Sequence, residues 1–170
     1  MKKTKHLTFC AILSALSIVV LLLGGISQIL DLTAVVACAI IIFIVHSELK
    51  YSSLLVYITV SLLAFLILGT PTVAVEYVVF AIYPILKPLF EKAGKILGAL
   101  IKYAFMIISS ATLTLLFRYV LMAGDVWYID LIFGIGLAVC YIIFDVALSR
   151  FAVYYKYKLR HQLRIDKFFH

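Results

Sequence analysis

Charge is what this sequence has least of. Only 14% of its 170 residues are charged, 66% are hydrophobic, and the mean hydropathy is +1.19. So few polar groups cannot cover a folded surface in water, which excludes an ordinary soluble domain and leaves lipid as the solvent. Cysteine chemistry is missing as well. Cys10, Cys38 and Cys140 each sit inside an apolar run with no partner at CxxC or similar spacing, so neither a disulfide framework nor a zinc site is expected. No HExxH, GxSxG or Walker-type glycine-lysine loop occurs, and His6, His46, His161 and His170 are not spaced as metal pairs. The expectation is a chain that is not an enzyme and carries no cofactor or metal. Without a nucleotide loop, any uphill movement of solute must draw on an ion gradient or a separate motor. Ion-coupled carriers usually show internal repeats and helices broken at the midplane, whereas this chain has no detectable repeat.

What is present is a series of apolar runs. Hydropathy and end signals place spans at about 7–26, 32–45, 52–68, 72–86, 96–122 and 128–155. A span takes roughly 20 residues, so six of them leave no room for a soluble domain. The first run is read as a retained span, because no small-residue cleavage site precedes a polar mature sequence. Gly24-Gly25 is expected to end it, while Gly69-Thr70-Pro71 and Ala123-Gly124-Asp125 mark two further turns. The second and fourth runs are short for a bilayer and call for flanking residues at the interfaces, local thinning or partial shielding by neighbouring helices.

The formal charge of +7 is distributed by membrane side. All of the 15 basic residues except Lys102 and Arg118 fall at the amino terminus, in the second-to-third and fourth-to-fifth connections, or after the sixth span. The positive-inside rule then places both termini in the cytoplasm. A nucleic-acid partner is not expected, since no basic patch with interleaved aromatics is present. Asp31, Glu76, Asp125 and Asp130 fall on the opposite side. After the sixth span, Phe151, Tyr154, Tyr155, Leu159, Leu163 and Phe168 alternate with bases. This pattern predicts a basic amphipathic tail over about 156–170, lying on the inner membrane surface.

Ionisable residues in a membrane are costly and mark sites or pairs. Arg118 is the lone base near the outer face. With Gln28, Asp31, Glu76, Tyr77, Trp127 and Asp130 it forms a set that could line an outward-facing cavity, Arg118 either pairing with Glu76 or receiving an anionic ligand group. An interfacial ion pair within an aromatic belt is the plainer alternative. Asp145 and Arg150 are off helical pairing distance, so a cross-helix partner such as Lys102 is as plausible for Asp145. Pro84 removes a helix hydrogen bond and Pro88 is expected to end the run, leaving Lys87 to reach toward lipid phosphates. In the first span, Ala11 and Ala15 share a face with Ser14 beside them. Small residues four apart let helices approach closely, for internal packing or for an external partner.

Its 170 residues, six spans, inward termini, Ala11-to-Ala15 strip and lack of a nucleotide site resemble the substrate-binding (S) component of an energy-coupling factor (ECF) transporter. The segment Tyr83-Pro84-Ile85-Leu86-Lys87-Pro88-Leu89-Phe90-Glu91-Lys92 is also similar to small uncharacterised bacterial membrane proteins grouped with these components. The resemblance covers the whole chain. It implies an all-α, six-helix bundle of the bacterial cell membrane that captures a vitamin or other micronutrient in an outer-half cavity. A membrane coupling subunit and two cytoplasmic ATPases would be its partners. Ala11 and Ala15 map onto the family's docking strip for the coupling subunit. The amino-terminal His motif of nickel and cobalt members is absent, so those metals are not expected. The rival reading is a non-transporting membrane scaffold of the MreD-like cell-shape type.

Overall fold

The computed structural model describes residues 2–27, 30–69, 71–121 and 127–159. They form an all-helical structure: α1 (Lys2–Ile26), α2 (Asp31–Glu48), α3 (Lys50–Ile67), α4 (Pro71–Ala81), α5 (Tyr83–Lys92), α6 (Lys95–Leu121) and α7 (Trp127–Tyr154), with a π-helical turn over Tyr155–Leu159. Among the described residues six helices are long and apolar enough to cross a membrane, α4 and α5 acting together as the fourth. Helix is the form that apolar runs adopt when water is not there to satisfy the backbone, because each N–H finds its acceptor within its own segment. At 1.5 Å per residue, the 27 residues of α6 reach about 40 Å, more than a bilayer core requires.

The α2 helix is the centre of the bundle, packed on α1, α3, α4 and α5. Its Val35, Cys38, Ala39, Ile42 and Val45 are fully buried. The hairpin of α6 and α7 joins this unit through α4 and α5. Phe80 stacks on Tyr141 with ring centroids 4.1 Å apart, and Tyr83 packs on Phe105 at 6.1 Å. Lys50 and Lys92 mark one end of the bundle, called here the lysine end. Asp31 and Pro71 mark the far end.

Three expectations about helix ends change. Gly24-Gly25 does not end the first helix, which runs on to Ile26. Gly24 instead lets α2 come close, since a Cβ there would lie 2.5 Å from that of Ala34. The second run gains Asp31 and the His46–Glu48 stretch as polar flanks and reaches 18 residues, which resolves its shortness. Pro88 does not stop the fourth run: α5 continues through it to Lys92.

The break comes earlier, at Ile82. Pro84 has no N–H for the Phe80 carbonyl, and helices kink where such a bond is lost. Two tyrosines compensate the backbone there. Tyr57 of α3 donates its hydroxyl to the Val78 carbonyl at 2.8 Å, and Tyr141 of α7 donates to that of Val79 at 3.1 Å. Gly94, with φ +99, then turns α5 into α6 in the left-handed region that glycine adopts without cost. Gly98 packs so tightly on the Phe90 carbonyl that no side chain could stand in its place.

The sixth span is expected to end at Tyr155, ahead of the surface tail. Tyr155 is buried between Phe43 and Phe151 and donates to Glu48 Oε1 at 3.1 Å, so it belongs to the bundle. The rest of the tail, residues 160–170, lies outside the described residues.

Candidate functional site

At the far end, Arg118 stands in the last turn of α6 and Asp130 in the first turn of α7. These turns adjoin in an antiparallel hairpin, and Arg118 Nη1 lies 3.3 Å from Asp130 Oδ2. The expected pairing of Arg118 with Glu76 is therefore not what forms. The partner across the hairpin takes the guanidinium, while Glu76 is carried by α4. Phe117 and Phe133 pack edge-on beside the pair at 5.3 Å.

Glu76 and Tyr77 are carried by α4 and buried. Asp31, the first residue of α2, is close enough to Glu76 for the two carboxylates to interact electrostatically. Asp31 Oδ1, Glu76 Oε2 and Tyr77 Oη are buried without a hydrogen-bond partner among the described residues. Tyr77 stacks on Tyr57 at 6.2 Å. The expected set thus divides into Asp31, Glu76 and Tyr77 on one side and Arg118 with Asp130 on the other. Gln28 and the side chain of Trp127 lie outside the described residues. Between α4 and α6, Thr72, Val75, Leu116 and Phe117 line a void of about 10 Å³. That volume is about the room one water needs.

The Ala11 and Ala15 strip is exposed. It lines a groove of about 720 Å³ between α1 and α3, with Ser14, Ser52 and Thr59 along the same walls. Internal packing, the other reading of the strip, is taken by a different face of α1. There Leu21 and Ser17 are fully buried, and the Ser17 carbonyl accepts a hydrogen bond from Cys38 Sγ at 3.3 Å. Ser14 Oγ donates back to the Cys10 carbonyl at 2.8 Å, so its polar group is satisfied within the helix.

The most developed polar cluster lies toward the lysine end, around Asp145 of α7. Lys102 Nζ is 2.7 Å from Asp145 Oδ2, the cross-helix partner that the spacing allowed. Lys87 Nζ donates to Asp145 Oδ1 at 2.7 Å and also to the Asp145 carbonyl and Ser149 Oγ. Tyr83 Oη donates to Asp145 Oδ1 at 2.6 Å. Lys87, only 8% exposed, therefore does not reach toward lipid phosphates. Because α5 continues through Pro88, Lys87 stays one helical turn from Tyr83 and shares its inward face. The same spacing joins Asp145 to Ser149. Polar residues four apart on each helix, Tyr83 with Lys87 and Asp145 with Ser149, are the sequence signal that could have pointed to this cluster.

No family model, no curated protein and no solved structure matches this chain.

His46 Nδ1 lies 2.9 Å from Ser53 Oγ, but the Ser53 hydroxyl gives its own proton to the Lys50 carbonyl at 2.7 Å. The serine is thus an acceptor to histidine, the reverse of an activated nucleophile. This pair braces the one-residue turn at Leu49 between α2 and α3. Among the described residues no group of three His, Cys, Asp or Glu side chains could hold a metal ion.

Proposed function

We propose that this chain is a membrane-embedded substrate-binding subunit of the ECF type, lying in the cell membrane with its lysine end in the cytoplasm. The observation that carries this reading is the open groove along Ala11, Ser14 and Ala15. In lipid, helix association relies on close packing more than on a hydrophobic drive, and a strip of small residues lets a partner backbone approach. The occupant is a helix of the membrane coupling subunit, which in turn engages two ATPases. Exposed Ile12, Leu16, Val19 and Leu23 on α1 and Leu62, Phe65 and Leu66 on α3 suit contact with lipid around it.

The solute side of the proposal rests on Asp31, Glu76 and Tyr77. Their unpartnered buried oxygens cost free energy unless something donates to them. With Arg118 engaged by Asp130, the polar character left in this half favours a small solute that presents hydrogen-bond donors over an anionic one.

Purification in mild detergent tests the reading. A coupling subunit and two ATPases should accompany the wild type and be lost from Ala11→Trp and Ala15→Trp, with the bundle still folded. The MreD-like scaffold is the second reading, favoured by the ion pair on Arg118 and the small void between α4 and α6. Recovery of cell-wall or division partners in place of ATPases would establish that reading and end the first.

A further inference from the structure

At the lysine end, a second cavity of about 260 Å³ opens between α5, α6 and α7, lined by Lys87, Glu91, Gly94, Gly98, Lys102 and Asp145 among others. It is distinct from the α1–α3 groove and from the Glu76 region. We propose that it binds a phosphate group, either the headgroup phosphate of an anionic lipid or a soluble phosphate.

Charge gives the first argument. Two ammonium groups share the single Asp145 carboxylate, which leaves the cluster with one positive charge in excess. Glu91 lines the same cavity and acts electrostatically on Lys102, but no ion pair joins the two among the described residues and its exposure screens it, so it offsets that charge only in part. A tie between α5, α6 and α7 takes one group from each helix, and Tyr83 already joins α5 to Asp145, so Lys87 is a cation beyond that requirement. A second cation is what an additional anion would neutralise.

Donor accounting gives the second. The three protons of Lys87 Nζ have three acceptors, Asp145 Oδ1, the Asp145 carbonyl and Ser149 Oγ. Lys102 Nζ gives one proton to Asp145 Oδ2, and its other two have no hydrogen-bond acceptor among the described residues. Its side chain is 25% exposed, within reach of a ligand in the cavity. Tyr83 and Lys87 both donate to Asp145 Oδ1, so Lys102 meets that carboxylate through Oδ2 alone.

The third argument is the wall. The first turn of α6 lines the cavity, and its first helical bond runs from Gly98 N to the Gly94 carbonyl at 2.9 Å. Of that turn Gly98 is on the lining while Ile96 and Leu97 are not, so what the turn brings to the cavity is the positive end of the helix dipole. Gly94 adds no side chain to the opening, and a Cβ at that position would meet nothing within 4 Å. The volume is just under the roughly 300–1,000 Å³ of sites for drug-sized ligands, the right scale for a phosphate with a small alcohol attached. In the bilayer reading the opening lies at headgroup level on the basic side, where anionic lipid gathers.

The test uses the full chain, purified in neutral detergent and placed in nanodiscs of phosphatidylcholine alone or mixed with phosphatidylglycerol. Native mass spectrometry counts the retained lipid, and inorganic phosphate in a thermal-shift series probes the soluble source. Wild type should retain phosphatidylglycerol over phosphatidylcholine or be stabilised by phosphate, and the arm that responds names the source. Lys102→Met should lower occupancy about tenfold, the weight of one charge-assisted hydrogen bond. Ala99→Leu fills the cavity without changing charge and should lower it as well, which covers a folding defect in the lysine variant. Lys92→Met, exposed at the same end and outside the cavity, should have no effect. The proposal is overturned if neither ligand binds the wild type, or if Lys92→Met weakens retention as much as Lys102→Met. Co-purification with a coupling subunit is not part of this readout, so the two proposals can fail separately.

Discussion

The residue on which most of the buried polar chemistry converges is Asp145. It accepts from Tyr83, Lys87 and Lys102, and removing it would leave two ammonium groups facing each other in an apolar setting. Breaking a buried pair on one side costs about 3–5 kcal/mol. Asp145→Ala should therefore lower the melting temperature in detergent sharply, and adding Lys102→Met should recover part of the loss. If the double variant melts lower than the single, Asp145 is not balancing the excess charge. Arg118 contrasts with it. Its side chain is 39% exposed and its ion pair lies at the surface, where such pairs contribute about 0–1 kcal/mol. Arg118→Ala should leave stability nearly unchanged and small-molecule retention intact. Loss of a bound solute in that variant would return the guanidinium to the ligand. The Lys102–Asp145 pair was legible in the sequence because two lone charges in facing spans need partners. Lys87 was not, because a lysine beside Pro88 reads as a helix end until the helix is seen to continue.

Among the elements, the α4–α5 break and the groove face of α1 depend on different physics. Pro84 announces the break in the sequence, but the two hydroxyls that compensate it come from Tyr57 and Tyr141, 21 and 62 residues from the carbonyls they reach. Separations of that size leave no local signal. Tyr141→Phe keeps the stack on Phe80 and removes one bond to a carbonyl. A loss of about 1 kcal/mol is expected in a denaturant or thermal series. No change would mean that the Val79 carbonyl is satisfied elsewhere. On α1, small-residue spacing found the face but could not tell outward from inward. Gly24, read as a terminator, packs on Ala34 and takes the inward role, which leaves Ala11 and Ala15 to the groove. Because that groove is open, the Trp variants should melt within a few degrees of wild type.

For the whole molecule, the run lengths and the distribution of lysines made the six-helix count and the two unlike ends legible. The helices alternate in direction, so Lys50, Lys87, Lys92, Lys156 and Lys158 collect near one end and Asp31 and Asp130 near the other. What the pattern could not supply was depth, since the cleft of Lys102 forms only when α5, α6 and α7 meet. Orientation then decides which leaflet that cleft faces and from which side a solute meets Glu76. In a background with Cys10, Cys38 and Cys140 replaced by alanine, Leu30→Cys should react with a membrane-impermeant maleimide in intact cells. Tyr51→Cys, beside Lys50 at the lysine end, should react only after permeabilisation. The positive-inside rule requires this asymmetry. The reverse pattern would turn the molecule over, move the phosphate cleft to the outer leaflet, and remove the cytoplasmic approach that ATPases need.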